Sequence, residues 1–498
     1  GNITMGGGLN GTDYAVGTAT SSVTGLLGQT KYKGVFFNGV TLNAGGGNIS
    51  VKGKGWQGSN QNDLVSDFYA IGVDFVGYNA GTTLTTIGNG TITVDGVGGI
   101  NYDGTTHSAG INFYNDANTG VAGHNISTVN GAINISGTAG TGTARLRAGI
   151  VIDYGSFNIY STTGAVNIAG YGSSPAVGVM NNGGTMNFGS NGVTTTSGTV
   201  TFSADSLSFA LGTTNVRGTG SLVLKPATTG ATIGVGTGSG TLSLGNSWFS
   251  GTSVFKDGFS AIVLGATDAG DITVGGTNSF VDSVSMVTGG NVTLNSGATI
   301  TDSQNSGYIA LAATGNFINN AGASALSLTG TGSRWLVYSA APTNDVFGSL
   351  NSANGAVWNA SYATMAPSAV TATGNRYLFT GTPSVTVTAS ATKIYGTTLT
   401  AADVLGLTSS SGSSPVYTLP TLADVFSVNP TVSSLGLVAT ASVSSGPYAI
   451  TVAPGTSTGS YTITYATPGT ITVTPKALTV SGTTAANKTY DGTTSAVL

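Results

Sequence analysis

Short apolar–polar alternations, nearly all of them preceded closely by glycine, run through the first two-thirds of the chain. The stretch Thr288–Ser303, TGGNVTLNSGATITDS, carries the unit: Gly-Gly-Asn, then Val292-Thr293-Leu294, then a small polar turn, then Ile300-Thr301. The same phrase recurs at Asn48–Val51, Thr91–Val94, Ala132–Ile135, Ala165–Ile168, Thr185–Phe188, Thr199–Phe202, Ser221–Leu224, Thr241–Leu244 and Asp271–Val274. Apolar residues two apart place one side of a strand inward. From residue 165 onward the starts cluster near a spacing of about 20, the mark of a solenoid.

These segments predict an all-β fold: a right-handed parallel β-helix over residues 1–330, followed by a small antiparallel, sandwich-like β domain. Each coil would hold two or three short strands with Gly and Asn at its corners. No coil buries a core alone, so stability comes from stacking. Coils of about 20 residues at a spacing of ~4.8 Å would make a stack of roughly 70–80 Å. The denser apolar run GSRWLVYSAAPTNDVFGSL changes the pattern near Arg334, and 331–375 is expected to cap and leave the helix. Fuller alternations at Val385–Thr388, Ala449–Val452, Tyr461–Tyr465 and Thr470–Val473 place the second domain at 376–475. The remaining residues, 476–498, read as the start of another unit, and both ends read as the interior of a longer polypeptide.

Composition narrows this picture. The 498 residues include 80 glycines without a Gly-X-Y period, and only 12 prolines, which excludes collagen. Every acidic residue is Asp; the absence of Glu argues against appreciable helix. Net charge is −4 and no large basic cluster is present, so nucleic acid is not an expected partner. There is no cysteine, which removes disulfides and thiolate metal sites. No run of about 18 apolar residues predicts a membrane span.

Three stretches carry a family likeness. ATKIYGTTLTAAD (391–403) with GSYTITYATPGTITVTPKALTV (459–480) resembles the MBG modules of large bacterial exoproteins. NKTYDGTTSA, from Asn487, resembles the opening of their YDG repeats, and GSRWLVYSAAPTND (332–345) resembles the segment that closes their β-helix. The family is that of filamentous-haemagglutinin-like exoproteins of two-partner secretion. The resemblance implies a chain exported through an outer-membrane β-barrel partner and held outside the cell or on the bacterial surface. It implies adhesion, aggregation or biofilm matrix as the role. The Asn-Pro-Asn secretion domain of that family is not found in this chain.

The most aromatic and Asp-rich segments are 56–78 and 101–124, where coil starts lie 33 to 43 residues apart. They are expected to hold loops inserted on one face of the solenoid, where binding residues gather. Trp56, Tyr69, Tyr78, Tyr102 and Tyr114 are the candidates for stacking on sugar rings, with Phe68 and Phe113 beside them and Asn and Asp supplying hydrogen bonds. His107 and His124, near Asp103 and Asp116, are expected to be solvated loop residues rather than metal ligands. Asp63, Asp67 and Asp74 could line a catalytic groove, since glycan cleavage needs paired carboxylates. Their spacing is not diagnostic, and the reading is of a non-enzyme without cofactor or metal. Polysaccharide and other copies of the chain are the expected partners; a self-assembling fibre and a polysaccharide-cleaving enzyme are the alternatives.

Overall fold

The computed structural model describes residues 1–7, 13–17, 32–58, 69–78, 80–102, 107–115, 123–172, 176–409 and 416–495. The chain divides into two compact units, Gly1–Gly381 with Ser414–Thr418, and Thr382–Ser413 with Leu419–Leu498.

The first unit is a parallel β-helix. Its first face is a 14-stranded sheet that begins at Ile3–Met5 and runs through Ile49–Lys54, Ile92–Val97, Ile133–Thr138 and their successors to Arg376–Phe379 and Val357–Trp358. In the early turns a second face stacks Val35–Asn38, Val73–Gly77, His107–Asn115, Leu146–Asp153 and Val177–Asn181. A third stacks Thr41–Asn43, Thr83–Thr85, His124–Thr128, Ser156–Ser161 and Thr185–Phe188. Every pairing between strands of these faces is parallel, as coils wound in one sense require.

The coil is about twice the expected 20 residues in the early turns and approaches that value later. Ile49 aligns with Ile92, 43 residues on, Val200 with Leu222, 22 on, and Ile272 with Val292, 20 on. Between residues 165 and 222 the apparent period arose from counting strands of different faces as one series, since Thr185–Phe188 belongs to the third face; Ile272–Gly275 and Val292–Leu294 are neighbours in one sheet at that spacing. Fewer, longer coils make a shorter stack. Thirteen strands lie along the path of the first face, and twelve steps of ~4.8 Å give roughly 55–60 Å. The parallel sheet also continues past residue 330, with Arg334–Ser339 as a further rung in the segment expected to be a cap.

Inside, aromatic residues stack in register. Phe37, Phe75 and Phe113 sit on successive second-face strands, with ring centroids 4.9 and 4.6 Å apart. Two glycine ladders bring the first and second faces together. Gly53, Gly96, Gly137 and Gly170 are in register on the first face. A Cβ on any of them would lie 2.1–2.2 Å from the carbonyl oxygen of Gly72, Gly110, Gly149 or Gly178 on the second. Only glycine allows that approach.

The last turns close with aromatic packing. Tyr377 donates to the Leu350 carbonyl at 2.6 Å, and Trp335, Phe347, Phe379 and Tyr417 surround it.

The second unit is a β domain of small sheets, mostly antiparallel, with Ser384–Ala389 and Ala391–Ile394 also pairing parallel to Thr462–Tyr465 and Thr470–Thr474. Val385, Val387, Leu405, Phe426 and Ile471 form its core. Two four-residue helical turns, Ala401–Val404 and Leu422–Val425, open on matching capping boxes. Thr400 and Thr421 each donate backbone and side-chain hydrogen bonds at 2.7 Å to Asp403 and Asp424. In the phrase Lys393-Ile394-Tyr395-Gly396 the buried residue is Lys393, which donates to the Thr397 and Val438 carbonyls, while Tyr395 is exposed.

Candidate functional site

The second face of the early turns buries residues on both of its sides. Inward-pointing Val73, Phe75, Ile111 and Phe113 belong to the helix core. The outward positions alternate with them and line up by register. Phe36, Asp74 and Asn112 form one row; Asn38, Val76, Tyr114 and Asp153 form the next. Asp74, Asn112 and Asp153 are nevertheless almost wholly buried, at 1, 4 and 5% exposure.

These rows frame a recess of about 190 Å³. Its floor is an ion pair, with Lys33 Nζ 2.5 Å from Asp74 Oδ2, and Asn112 Nδ2 donates to the other carboxylate oxygen at 2.8 Å. The Lys33 ammonium also lies 4.6 Å from the centre of the Phe36 ring. One wall holds His107, whose Nδ1 is 3.7 Å from Asp153 Oδ2, with the Tyr69 ring edge-on at 5.3 Å. Asn182 donates to Asp153 Oδ1 at 2.9 Å. Tyr78 and Tyr114 line the recess as a T-shaped pair, their ring centres 6.3 Å apart.

Three of the five aromatic candidates therefore converge: Tyr69, Tyr78 and Tyr114 line this recess. Trp56 does not; it packs on Tyr32 at 5.9 Å and on Ala70. Tyr102 follows the strand Ile100–Asn101, is 41% exposed and does not line the recess either. Asp63, Asp67, Phe68, Asp103 and Asp116 lie outside the described residues.

The two histidines differ from expectation. His107 begins the nine-residue strand His107–Asn115, His124 begins His124–Thr128, and both are buried. Segment 101–124 thus supplies rungs of the helix where inserted loops were expected. The Thr82 backbone N–H donates to His124 Nδ1 at 3.0 Å. Nε2 therefore carries the proton and donates to the Tyr114 carbonyl at 3.0 Å. Burial pushes the His124 pKa down, which keeps the ring neutral. With both nitrogens committed to backbone, it serves the fold. Among the described residues no cluster of three or more His and Asp side chains suits a metal ion.

Lys33, Asn112 and Asp153 were not singled out by the sequence. With Asp74 between Lys33 and Asn112, successive members of the set lie about 40 residues apart, and only the coil register brings them together. Both oxygens of Asp74 are engaged by Lys33 and Asn112, so it is not set up as a base toward a bound ligand; toward a ligand the arrangement suits binding. Acceptors predominate, with two carboxylates facing one ammonium.

No protein family, curated protein or solved structure matches this chain. The site must be read from its own geometry. Among the described residues no helix is long and apolar enough to cross a membrane.

Proposed function

We propose that the chain is a secreted bacterial surface adhesin, in which a parallel β-helix presents a sugar-binding recess on its second face. The observation that carries the reading is the convergence of Tyr69, Tyr78 and Tyr114 with Asp153 on one recess of about 190 Å³. Aromatic rings offer their faces to the C–H side of a sugar, and carboxylates accept from its hydroxyls. The excess of acceptors favours a neutral or amino sugar over an acidic one. The volume lies below the usual range for drug-sized ligands, roughly 300–1,000 Å³, and suits one sugar unit of a longer glycan. Weak contacts of this kind gain strength when many copies face a polysaccharide. Export through an outer-membrane β-barrel partner, and a place on the cell surface, rest on the resemblance of 391–403, 459–480 and the residues from Asn487 to MBG and YDG modules. No catalytic step is part of the reading.

The test is binding of the whole chain to a panel of neutral, amino and acidic oligosaccharides, followed by calorimetry on the best of them. Tyr114→Ala is expected to weaken binding about tenfold, ~1.4 kcal/mol. Absence of binding throughout the panel, or binding unchanged by both Tyr78→Ala and Tyr114→Ala, would remove the recess as the site.

A further inference from the structure

The floor of the recess has chemistry that sugar binding does not use. Lys33, Asp74 and Asn112 come from three successive turns, and all three are buried. The Asp74 carboxylate stands between the other two, with Lys33 Nζ on Oδ2 at 2.5 Å and Asn112 Nδ2 on Oδ1 at 2.8 Å. The surroundings of the ammonium are aromatic, with the Phe36 and Tyr69 ring centres at 4.6 and 5.7 Å. The remaining polar atom, Asn112 Oδ1, is buried without a hydrogen-bond partner among the described residues.

A buried ion pair has a neutral alternative. Passing one proton from Nζ to Oδ2 leaves an amine beside a carboxylic acid, and burial favours the uncharged forms. The amine is then a nucleophile. The acid requires an acceptor, and the orphaned amide oxygen of Asn112 becomes one when the side-chain amide turns over, since its two ends are nearly the same shape. The electrophilic Cγ of Asn112 is thereby polarised, with the Asp74 carboxyl group between it and the nucleophile. Attack needs an approach of about 3–3.5 Å, so the lysine stem must swing past the shared carboxyl group to reach Cγ.

We propose that Lys33 and Asn112 join in an intramolecular isopeptide bond, with Asp74 as the proton-transfer group. Nζ adds to Cγ of Asn112, and the Asp74 acid hydrogen-bonds the oxygen as negative charge develops there. Asp74 carries a proton from Nζ to Nδ2. The Cγ–Nδ2 bond breaks and its electron pair leaves with the nitrogen as ammonia. The product is a secondary amide, the carboxyl of Asp74 is regenerated, and no oxidant, metal or cofactor enters the balance. The bond would staple the turn before Val35–Asn38 to the strand His107–Asn115, across the rung between them.

The deciding measurement is the intact mass of the native full chain. The expected value is lighter than the sequence mass by one ammonia, and proteolysis should release one branched peptide joining the Lys33 and Asn112 segments. Lys33→Arg keeps the cation, removes the nucleophile and should show the full mass. Asn112→Asp should lose one water instead of one ammonia. A native chain at its full sequence mass overturns the proposal. So does an ammonia loss that persists in Lys33→Arg, which places the loss at another amide. A native loss of water with the branch at Asp74 overturns the assignment to Asn112. The first readout is made on the unaltered chain, so a variant that fails to fold leaves the test intact.

Discussion

Two recesses on the outside of the β-helix have the same volume, about 190 Å³ each, and opposite chemistry. The early one is built on Lys33, Asp74, Asn112 and Asp153. The late one lies on the first face and is lined by Val287, Ala312, Tyr338 and Tyr362. There the segment between Ser339 and Arg376 folds over the sheet, and Ala360, Tyr362, Met365 and Val370 pack on Val287, Leu336, Tyr338 and Leu378. Its polar groups are matched at the edge: Arg334 donates to the Pro367, Val370 and Ala372 carbonyls at 2.6–2.9 Å, and Tyr338 donates to the Met365 carbonyl at 3.0 Å. Burial outside the core thus has two uses in one solenoid. The apolar seam exchanges water for packing and adds stability. The polar recess holds charge away from water at a cost, with the amide oxygen of Asn112 left over, and residues kept on such terms are candidates for function.

The largest effect should come from breaking the polar floor. Asp74→Ala leaves the Lys33 ammonium buried and unpaired, and is expected to destabilise the first unit by about 3–5 kcal/mol in denaturant unfolding. Replacing both partners, Lys33→Met with Asp74→Leu, avoids the desolvation of two ions but also removes the proposed bond to Asn112, and should recover only part of that loss. If the double variant is no better than the single one, the floor contributes to stability in a way the ion-pair description misses.

At the apolar recess the matching change is Leu336→Ala, expected to cost about 2–4 kcal/mol from lost transfer energy and the cavity left behind. It should leave sugar binding unaltered. Loss of binding at unchanged native circular dichroism would mean that the two recesses are not independent.

Much of this contrast was hidden in the sequence for a physical reason. The first face was legible because its strands alternate: Ile49–Lys54, Ile92–Val97 and Ser221–Lys225 bury every second residue. The second face was not. Val73–Gly77 is buried at every position, and so is His107–Asn115 except at Tyr114. A strand covered on both sides loses the alternation that marks a strand. Its residues therefore read as loop, the coil length read as half its value in the early turns, and the histidines read as solvated. The aromatic richness of 56–78 and 101–124 did point to the recess through Tyr69, Tyr78 and Tyr114. Lys33 and Asp153 gave no such signal, since what places them is register across turns. The second unit was easier, because its exposed strands, such as Thr470–Thr474, keep a strict alternation.

The smallest predicted effect on stability concerns a charge buried among the late, mostly apolar turns. Asp282 precedes the strand Val284–Thr288 and is 1% exposed; its Oδ1 accepts from the Gly258 backbone at 3.1 Å. Burial, with the neighbouring charge of Asp257 added, raises its pKa from 3.8 to about 6. Because the folded pKa lies above the unfolded one, the folded chain holds this proton over a pH range in which the unfolded chain has released it. The associated stability is fully present below about pH 4 and is lost as pH rises through about 6. Asp345 is shifted the same way, also to about 6 and chiefly by burial, and adds to the slope. Unfolding free energy measured from pH 4 to pH 7.5 should therefore fall, by on the order of 2 kcal/mol for Asp282. Asn mimics the protonated acid and can still accept from Gly258. Asp282→Asn should flatten that part of the profile, raising stability at pH 7.5 while leaving it nearly unchanged at pH 4. A slope that survives the substitution would move the titration to Asp345, and Asp345→Asn would then be the variant that removes it.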